Sequence, residues 1–292
     1  MQTNIIDIST HQGQIDWAKV EADAVMIRAC FGWDNDKQID KRFVANVAGA
    51  VKHGIPYGLY HYSYATNAAD ARKEANFFLR VIEGLKPQYP VAFDFEEVTQ
   101  LGGFDKNGRY HKPLQLGTQL DIIDAFLSTV EAAGYFAMLY MSASPLMQLY
   151  RYAPERIKQY SIWVAHYGVD KPNFAGEYGI WQYGVVGRWG TKGRDYTIPG
   201  QVSGVNANCD VNYGYKDYPA IIKAAGLNGF SKAVTPPTKP AETQTDELAR
   251  IRAELTANKE YTANLKIQVN SLTVELASYK SKCTRAAQLL TE

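Results

Sequence analysis

Five short apolar runs, residues 4–8, 25–30, 57–62, 91–96 and 136–141, constrain this chain most, because each is too short for an ordinary helix and is dense in aliphatic and aromatic residues. They read as buried strands. The segments between them carry helical spacing instead. Asp40 opens one, with Phe43, Val47 and Val51 on a face and Gly54 just past its end; Asn67 is a candidate N-cap for a second, with Ala71, Ala75, Phe78, Ile82 and Leu85; a third carries Leu120, Ile123, Leu127 and Val130 and stops at Gly134. Strands alternating with helices call for parallel pairing, since only a crossover returns the chain to the same end of a sheet. After residue 160 the rhythm changes. Residues 161–166 and 179–183 read as strands separated by a turn bearing Gly, Pro and Asn, and a Gly-rich stretch, 184–209, leads to Asp210-Val211-Asn212-Tyr213. The pattern predicts an α/β fold, a TIM-like but irregular barrel whose last part lacks helices. An open doubly wound sheet is the alternative, although no G-x-G-x-x-G or Walker-type loop follows any run.

The fourth run, Val91-Ala92-Phe93-Asp94-Phe95-Glu96, carries the chemistry. Alternation along a strand puts Ala92, Asp94 and Glu96 on one face and the three large apolar residues on the other. Two carboxylates on one half-buried face raise each other's pKa, which is what a general acid requires. Glycoside hydrolysis needs one protonated carboxyl for the leaving oxygen and one ionised carboxylate facing the developing oxocarbenium ion. The plain alternative is a structural strand whose Asp caps the next turn and whose Glu is solvated. A polar stretch of roughly residues 97–113 follows, longer than most connections and hence a candidate functional loop.

The balance of charge excludes some partners. With 31 Lys and Arg against 30 Asp and Glu, the chain has no excess charge to drive binding to nucleic acid or an anionic membrane. Twenty tyrosines supply faces on which sugar rings can stack. Cys30, Cys209 and Cys283 are few, odd in number and far apart, which argues against a disulfide framework and against a zinc site. The N-terminus runs straight into a strand with no basic or long apolar leader, and no run approaches the length of a membrane span. Synthesis in the cytoplasm without an export signal, and no membrane insertion, is the expectation.

Ile6-Asp7-Ile8-Ser9 with His11-Gln12-Gly13 and Ile15-Asp16-Trp17, then Gly58-Leu59-Tyr60-His61-Tyr62, the Asp94-Phe95-Glu96 strand, Trp163-Val164-Ala165-His166-Tyr167, Ile180-Trp181-Gln182-Tyr183 and Asp210-Val211-Asn212 together resemble glycoside hydrolase family 25, the Chalaropsis-type lysozymes. The likeness runs in order over residues 1 to about 215. It implies a (β/α)5(β)3 barrel and cleavage of the β-1,4 bond between N-acetylmuramic acid and N-acetylglucosamine in bacterial peptidoglycan. Members without a signal are typically phage endolysins that reach the wall after release through a holin pore. The resemblance places the family's four acidic residues on Asp7, Asp94, Glu96 and Asp210, all at or near the C-terminal ends of predicted strands. Glu96 is then the general acid. Asp94 is either the nucleophile or the residue that orients the substrate's 2-acetamido group, and Asp7 and Asp210 supply a negative field. Turn-capping remains the structural alternative for Asp7 and Asp210. Four acids around one mouth also suit a divalent cation, but no His stands at ligand spacing with them, and neither metal nor other cofactor is expected. Arg28, Tyr62, Tyr140, Tyr167 and Trp181 lie at or just after predicted strand ends and are candidates for binding sugar. Trp163 is assigned to the core, and His11, His61 and His166 to structural hydrogen bonding.

The composition breaks after residue 225. Residues 226–245 read as a Thr/Pro-rich linker, including Thr235-Pro236-Pro237-Thr238-Lys239-Pro240, and residues 246–292 contain neither Gly nor Pro. Alternating steps of three and four from Leu248 reach Ile251, Leu255, Asn258, Thr262, Leu265, Val269, Leu272, Leu276, Tyr279, Cys283, Ala286 and Leu290, so that eleven of thirteen positions are apolar or small. A repeat of 3.5 residues sustained over six heptads predicts a coiled coil, and Glu254–Lys259 and Glu275–Lys280 favour a parallel homodimer. One amphipathic helix lying against the barrel is the alternative. The expected organisation is therefore a catalytic domain, 1–225, a linker and an oligomerising segment.

Overall fold

The computed structural model describes residues 2–33, 35–187 and 197–232, all within a compact unit that ends at Ala233. The linker beyond that point and the coiled coil expected over 246–292 lie outside the described residues. Eight strands form a closed ring: β1 (Thr3–Ile8), β2 (Ala24–Phe31), β3 (Tyr57–Tyr62), β4 (Val91–Asp94), β5 (Ala137–Ser142), β6 (Ser161–Ala165), β7 (Ile180–Gly187) and β8 (Cys209–Gly214). Strands β1 to β7 run parallel to their neighbours, whereas β8 runs antiparallel to both β7 and β1 and closes the barrel between them. A short strand, Thr197–Pro199, pairs with the end of β7 beyond the reach of β6.

Helices cover the outside where crossovers require them. They are α1 (Phe43–Lys52), α2 (Ala68–Val81), α3 (Leu116–Ala132) and α4 (Ala143–Tyr152). The crossover from β1 to β2 holds two single 3-10 turns, Thr10–Gln12 and Trp17–Lys19, in place of a helix. Asn67 caps α2 as its sequence suggests, its Oδ1 accepting the Asp70 N–H at 3.0 Å. In α1 the buried face is Phe43, Asn46, Val47 and Ala50, while Val51 is 61% exposed. Eight residues on from Phe43, Val51 has rotated about 80° away at ~100° per residue, whereas Ala50 falls within about 20°. The polar stretch after β4 is built rather than loose: it contains a helical turn, Val98–Leu101, and a hairpin of Gly103–Phe104 with Tyr110–His111.

Two apolar layers follow from the pleat. Val91, Phe93 and Phe95 point outward against the helices, with Phe93 stacked on Phe126 of α3 at 4.1 Å between ring centroids. Ala92, Met26, Met138, Trp163 and Ile180 point inward and fill the barrel. Its floor is sealed by Tyr89 and by Tyr218 and Ile222 of α5 (Tyr218–Ala225). Residues 226–232 belong to this floor and not to a linker. Asn228, buried at φ 54°, donates from Nδ2 to the carbonyls of Pro87 and Tyr89 at 2.9 and 3.0 Å and accepts the Phe136 N–H at 2.8 Å. Composition alone assigns this stretch to the linker because a hydrogen-bonding anchor of one residue leaves no compositional trace.

Candidate active site

The C-terminal ends of β1 to β7 surround a cavity of about 690 Å3. Asp7 enters from β1, Asp94 from the last position of β4 and Glu96 from just beyond it. Asp210 arrives differently. The sequence places it at a strand's C-terminal end, but it stands second in β8, whose reversed direction brings its start to the same mouth, directly opposite Asp7 in register. Arg28, Tyr62, Tyr140 and Tyr167 line the same cavity, as do Tyr60, Gln12, Asn208 and Gln182, which sequence reasoning does not single out as site residues, and His11, which it assigns to structural hydrogen bonding.

Two tryptophans exchange the places expected of them. Trp181 does not reach the cavity: it faces outward, 7% exposed, and its Nε1 donates to the His166 carbonyl at 2.8 Å. Its neighbour Gln182 points in instead, by simple alternation along β7. Trp163, assigned to the core, is buried and also lines the cavity, where its Nε1 donates to Asn212 Oδ1 at 2.7 Å.

A chain of amides orients the mouth. The Trp163 bond fixes Asn212 so that its Nδ2 donates to Asp7 Oδ2 at 2.8 Å. Gln182 donates from Nε2 to the same oxygen at 3.0 Å, and its Oε1 accepts the hydroxyls of Tyr140 at 2.8 Å and Tyr167 at 2.5 Å. Each amide orientation is dictated by a donor-only or acceptor-only partner. Behind this layer His61, fully buried, lies with Nδ1 3.3 Å from Cys30 Sγ and Nε2 3.2 Å from Glu74 Oε2, which also accepts the Ser63 hydroxyl at 2.7 Å. Gln100 donates to Ser63 Oγ and to the Ala65 carbonyl. The loops after β3 and β4 are thereby tied together.

Burial dominates the electrostatics, and like charge adds to it. Asp7 is pushed up to about 6 by burial, against the lowering effect of its Asn212 and Gln182 bonds. Glu96 rises to about 7 through burial and the charges of Asp7 and Glu97, and Asp210 to about 8 through burial, Asp7 and Glu96. Burial and then Glu96 hold Asp94 well above the carboxylate range, and its Oδ1 has no hydrogen-bond partner in the protein. Arg28 is the nearby cation, but its Nε and Nη2 both lie on Asp40, at 2.9 and 2.8 Å. Asp7, Glu96 and Asp210 so placed share protons near neutral pH, and such a set can both give and take a proton during a reaction.

Comparison with known proteins agrees with the barrel fold. The family model described as glycosyl hydrolases family 25 matches residues 6–190. The autolytic lysozyme of Clostridium acetobutylicum is 24% identical over 214 residues, 71% of this chain and 54% of that protein, so the chain spans about half the length of this relative. Among solved structures, the CTP1L endolysin superposes with a TM-score of 0.55 at 25% identity, covering 76% of this chain and 70% of the other. The modular autolysin LytC of Streptococcus pneumoniae, solved with a synthetic peptidoglycan ligand, gives 0.55 at 28% identity over 73% of this chain and 47% of that one. On the strength of the family match over more than half its length, the chain belongs to glycosyl hydrolases family 25.

Proposed function

We propose that this protein is a peptidoglycan muramidase that hydrolyses the β-1,4 bond between N-acetylmuramic acid and N-acetylglucosamine. The observation that carries the reading is Glu96, a buried carboxyl pushed up to about 7 among Asp7, Asp94 and Asp210 in one cavity. Protonated Glu96 gives its proton to the leaving glycosidic oxygen and takes one back from water in the second step. Asp7 and Asp210 favour positive charge building on the sugar ring. Asp94, buried beside Glu96 at the mouth, serves either as the nucleophile or as the carboxylate that orients the substrate's acetamido group. Tyr62, Tyr140 and Tyr167, which burial keeps protonated, offer hydroxyls and ring faces to the sugar.

The test is digestion of purified wall followed by identification of the new reducing end. A muramic acid end supports the assignment, and a glucosamine end would instead indicate a chitinase-like specificity. Absence of any new end would indicate a wall-binding protein without activity. EDTA is expected to leave cleavage intact. The biological role that fits is lysis of a bacterial host by a phage, with the enzyme made in the host cytoplasm and acting on the wall after release.

Residues 246–292 pair two such chains in parallel under this proposal, giving avidity on an insoluble polymer. Light scattering of the full chain and of a truncation after Val234 tests the pairing, and a monomeric full chain refutes it.

A further inference from the structure

A second hollow, of about 280 Å3, opens beside the catalytic cavity and shares His11 and Arg28 with it. A row of aromatic rings leads from one to the other. Tyr62, in the main cavity, meets Tyr64 edge-on at 5.3 Å, and Tyr64 meets Phe31 at 6.3 Å in the wall of the side hollow. Asp40 braces that wall from within. Its Oδ2 accepts the Thr10 N–H and Arg28 Nε, both at 2.9 Å, and its Oδ1 accepts the Arg42 N–H at 2.8 Å, so one buried carboxylate ties the β1 loop, the end of β2 and the entry to α1.

The charge of the side hollow is opposite to that of the mouth. Arg28 and Asp40 neutralise each other, which leaves Lys37 and Lys41, both exposed and with no carboxylate partner among the described residues. Two cations without a carboxylate partner among the described residues thus stand next to four crowded carboxyls.

We propose that this hollow is a subsite for free carboxylates of the peptide attached to the muramic acid residue beside the scissile bond. The inference rests on the muramidase reading above. In peptidoglycan the sugars themselves are uncharged, and acidity enters through the lactyl ether on O3 of muramic acid and the peptide that extends it. An anionic peptide leaving that sugar finds no available cation at the acidic mouth, where Arg28 is engaged by Asp40, and needs a cationic place close by. Two extended residues span about 7 Å, the scale of a step into an adjoining hollow. Lys37 and Lys41 meet the anion there, while Phe31 and Tyr64 give its apolar atoms a surface.

Three soluble glycan fragments test this with the full-length protein: one whose peptide carboxylates are free, one identical but amidated, and one stripped of peptide so that the lactyl carboxylate is free. Two exposed ion pairs correspond to about a three- to ten-fold preference in kcat/KM for the free-acid form over the amidated form. In a Lys37→Gln, Lys41→Gln double variant with an unchanged unfolding midpoint that ratio falls to about one, and a Lys37→Arg, Lys41→Arg variant keeps it. Equal cleavage of the two peptide-bearing fragments by the wild type overturns the subsite, as does a preference that survives in the Gln variant. A loss of the same size on the stripped fragment also overturns it, by assigning the lysines to the lactyl group. Failure to cleave any of the three sinks the muramidase reading itself and the subsite with it.

Discussion

Asp7 and Asp210 stand opposite each other in register across β1 and β8, two inward acidic side chains on strands that run in opposite directions. Burial and Asp7 raise Asp210 from its ordinary 3.8 to about 8, so the folded state binds this proton more tightly than the unfolded chain does. Stability from such a group is full below about pH 4 and is lost as pH rises through about 8. Urea unfolding is expected to show a more stable protein at about pH 5 than at about pH 9. Asp210→Asn removes a buried like charge and is expected to stabilise the alkaline form by on the order of 2 kcal/mol while lowering activity. A variant no more stable than wild type at high pH would show that the two carboxyls do not repel across the pair.

Glu96→Gln keeps the shape of the side chain and loses its proton. Cleavage is expected to fall by about 10²- to 10⁴-fold with the circular dichroism spectrum unchanged. In the wild type, activity on soluble fragments is expected to decline as pH rises through about 7, where Glu96 gives up its proton. A profile flat from acid to alkaline conditions contradicts its role as the acid.

Gln182 holds Asp7 with one end and two phenols with the other. Gln182→Met leaves a carboxylate oxygen with one fewer donor and removes the acceptor shared by the Tyr140 and Tyr167 hydroxyls. The expected cost is about 1–3 kcal/mol of stability and a loss of kcat larger than any change in KM. Thermal unfolding and steady-state kinetics on the same preparation decide it, and an unchanged kcat removes Gln182 from the positioning chain.

The two tryptophans make a paired test. Trp163→Phe breaks the bond that sets Asn212, and so is expected to alter kcat/KM, whereas Trp181→Phe loses only the bond to the His166 carbonyl and is expected to act on stability alone. If Trp181→Phe raises KM and Trp163→Phe does not, the cavity assignments made above are reversed.

Strand-and-helix alternation exposed the barrel, and the parity of Asp94 and Glu96 against Phe93 and Phe95 exposed which side chains turn to the cavity, because both depend on local spacing. Features set by partners distant in sequence stayed hidden. Trp181 and Gln182 are adjacent and either could face the sugar by composition; the register of β7 against β8 and β6 decides for Gln182. Asp40 reads as a helix opener, and does receive the Arg42 N–H, yet its larger task is to hold Arg28 and Thr10. Glu74 sits in the middle of a helical polar pattern with nothing to announce that His61 and Ser63 await it in the interior.

The sealed floor has a consequence for how a polymer is handled. Tyr89, Tyr218 and Ile222 pack across the end of the barrel away from the acidic cavity, so the barrel interior beneath that well is filled. A glycan strand cannot be threaded through such a well and must lie across its rim, dipping one linkage toward Glu96. Nothing in that arrangement asks for a chain end, so under the proposed muramidase activity cutting is expected to begin anywhere along the strand, shortening long glycans quickly while releasing few small sugars at first.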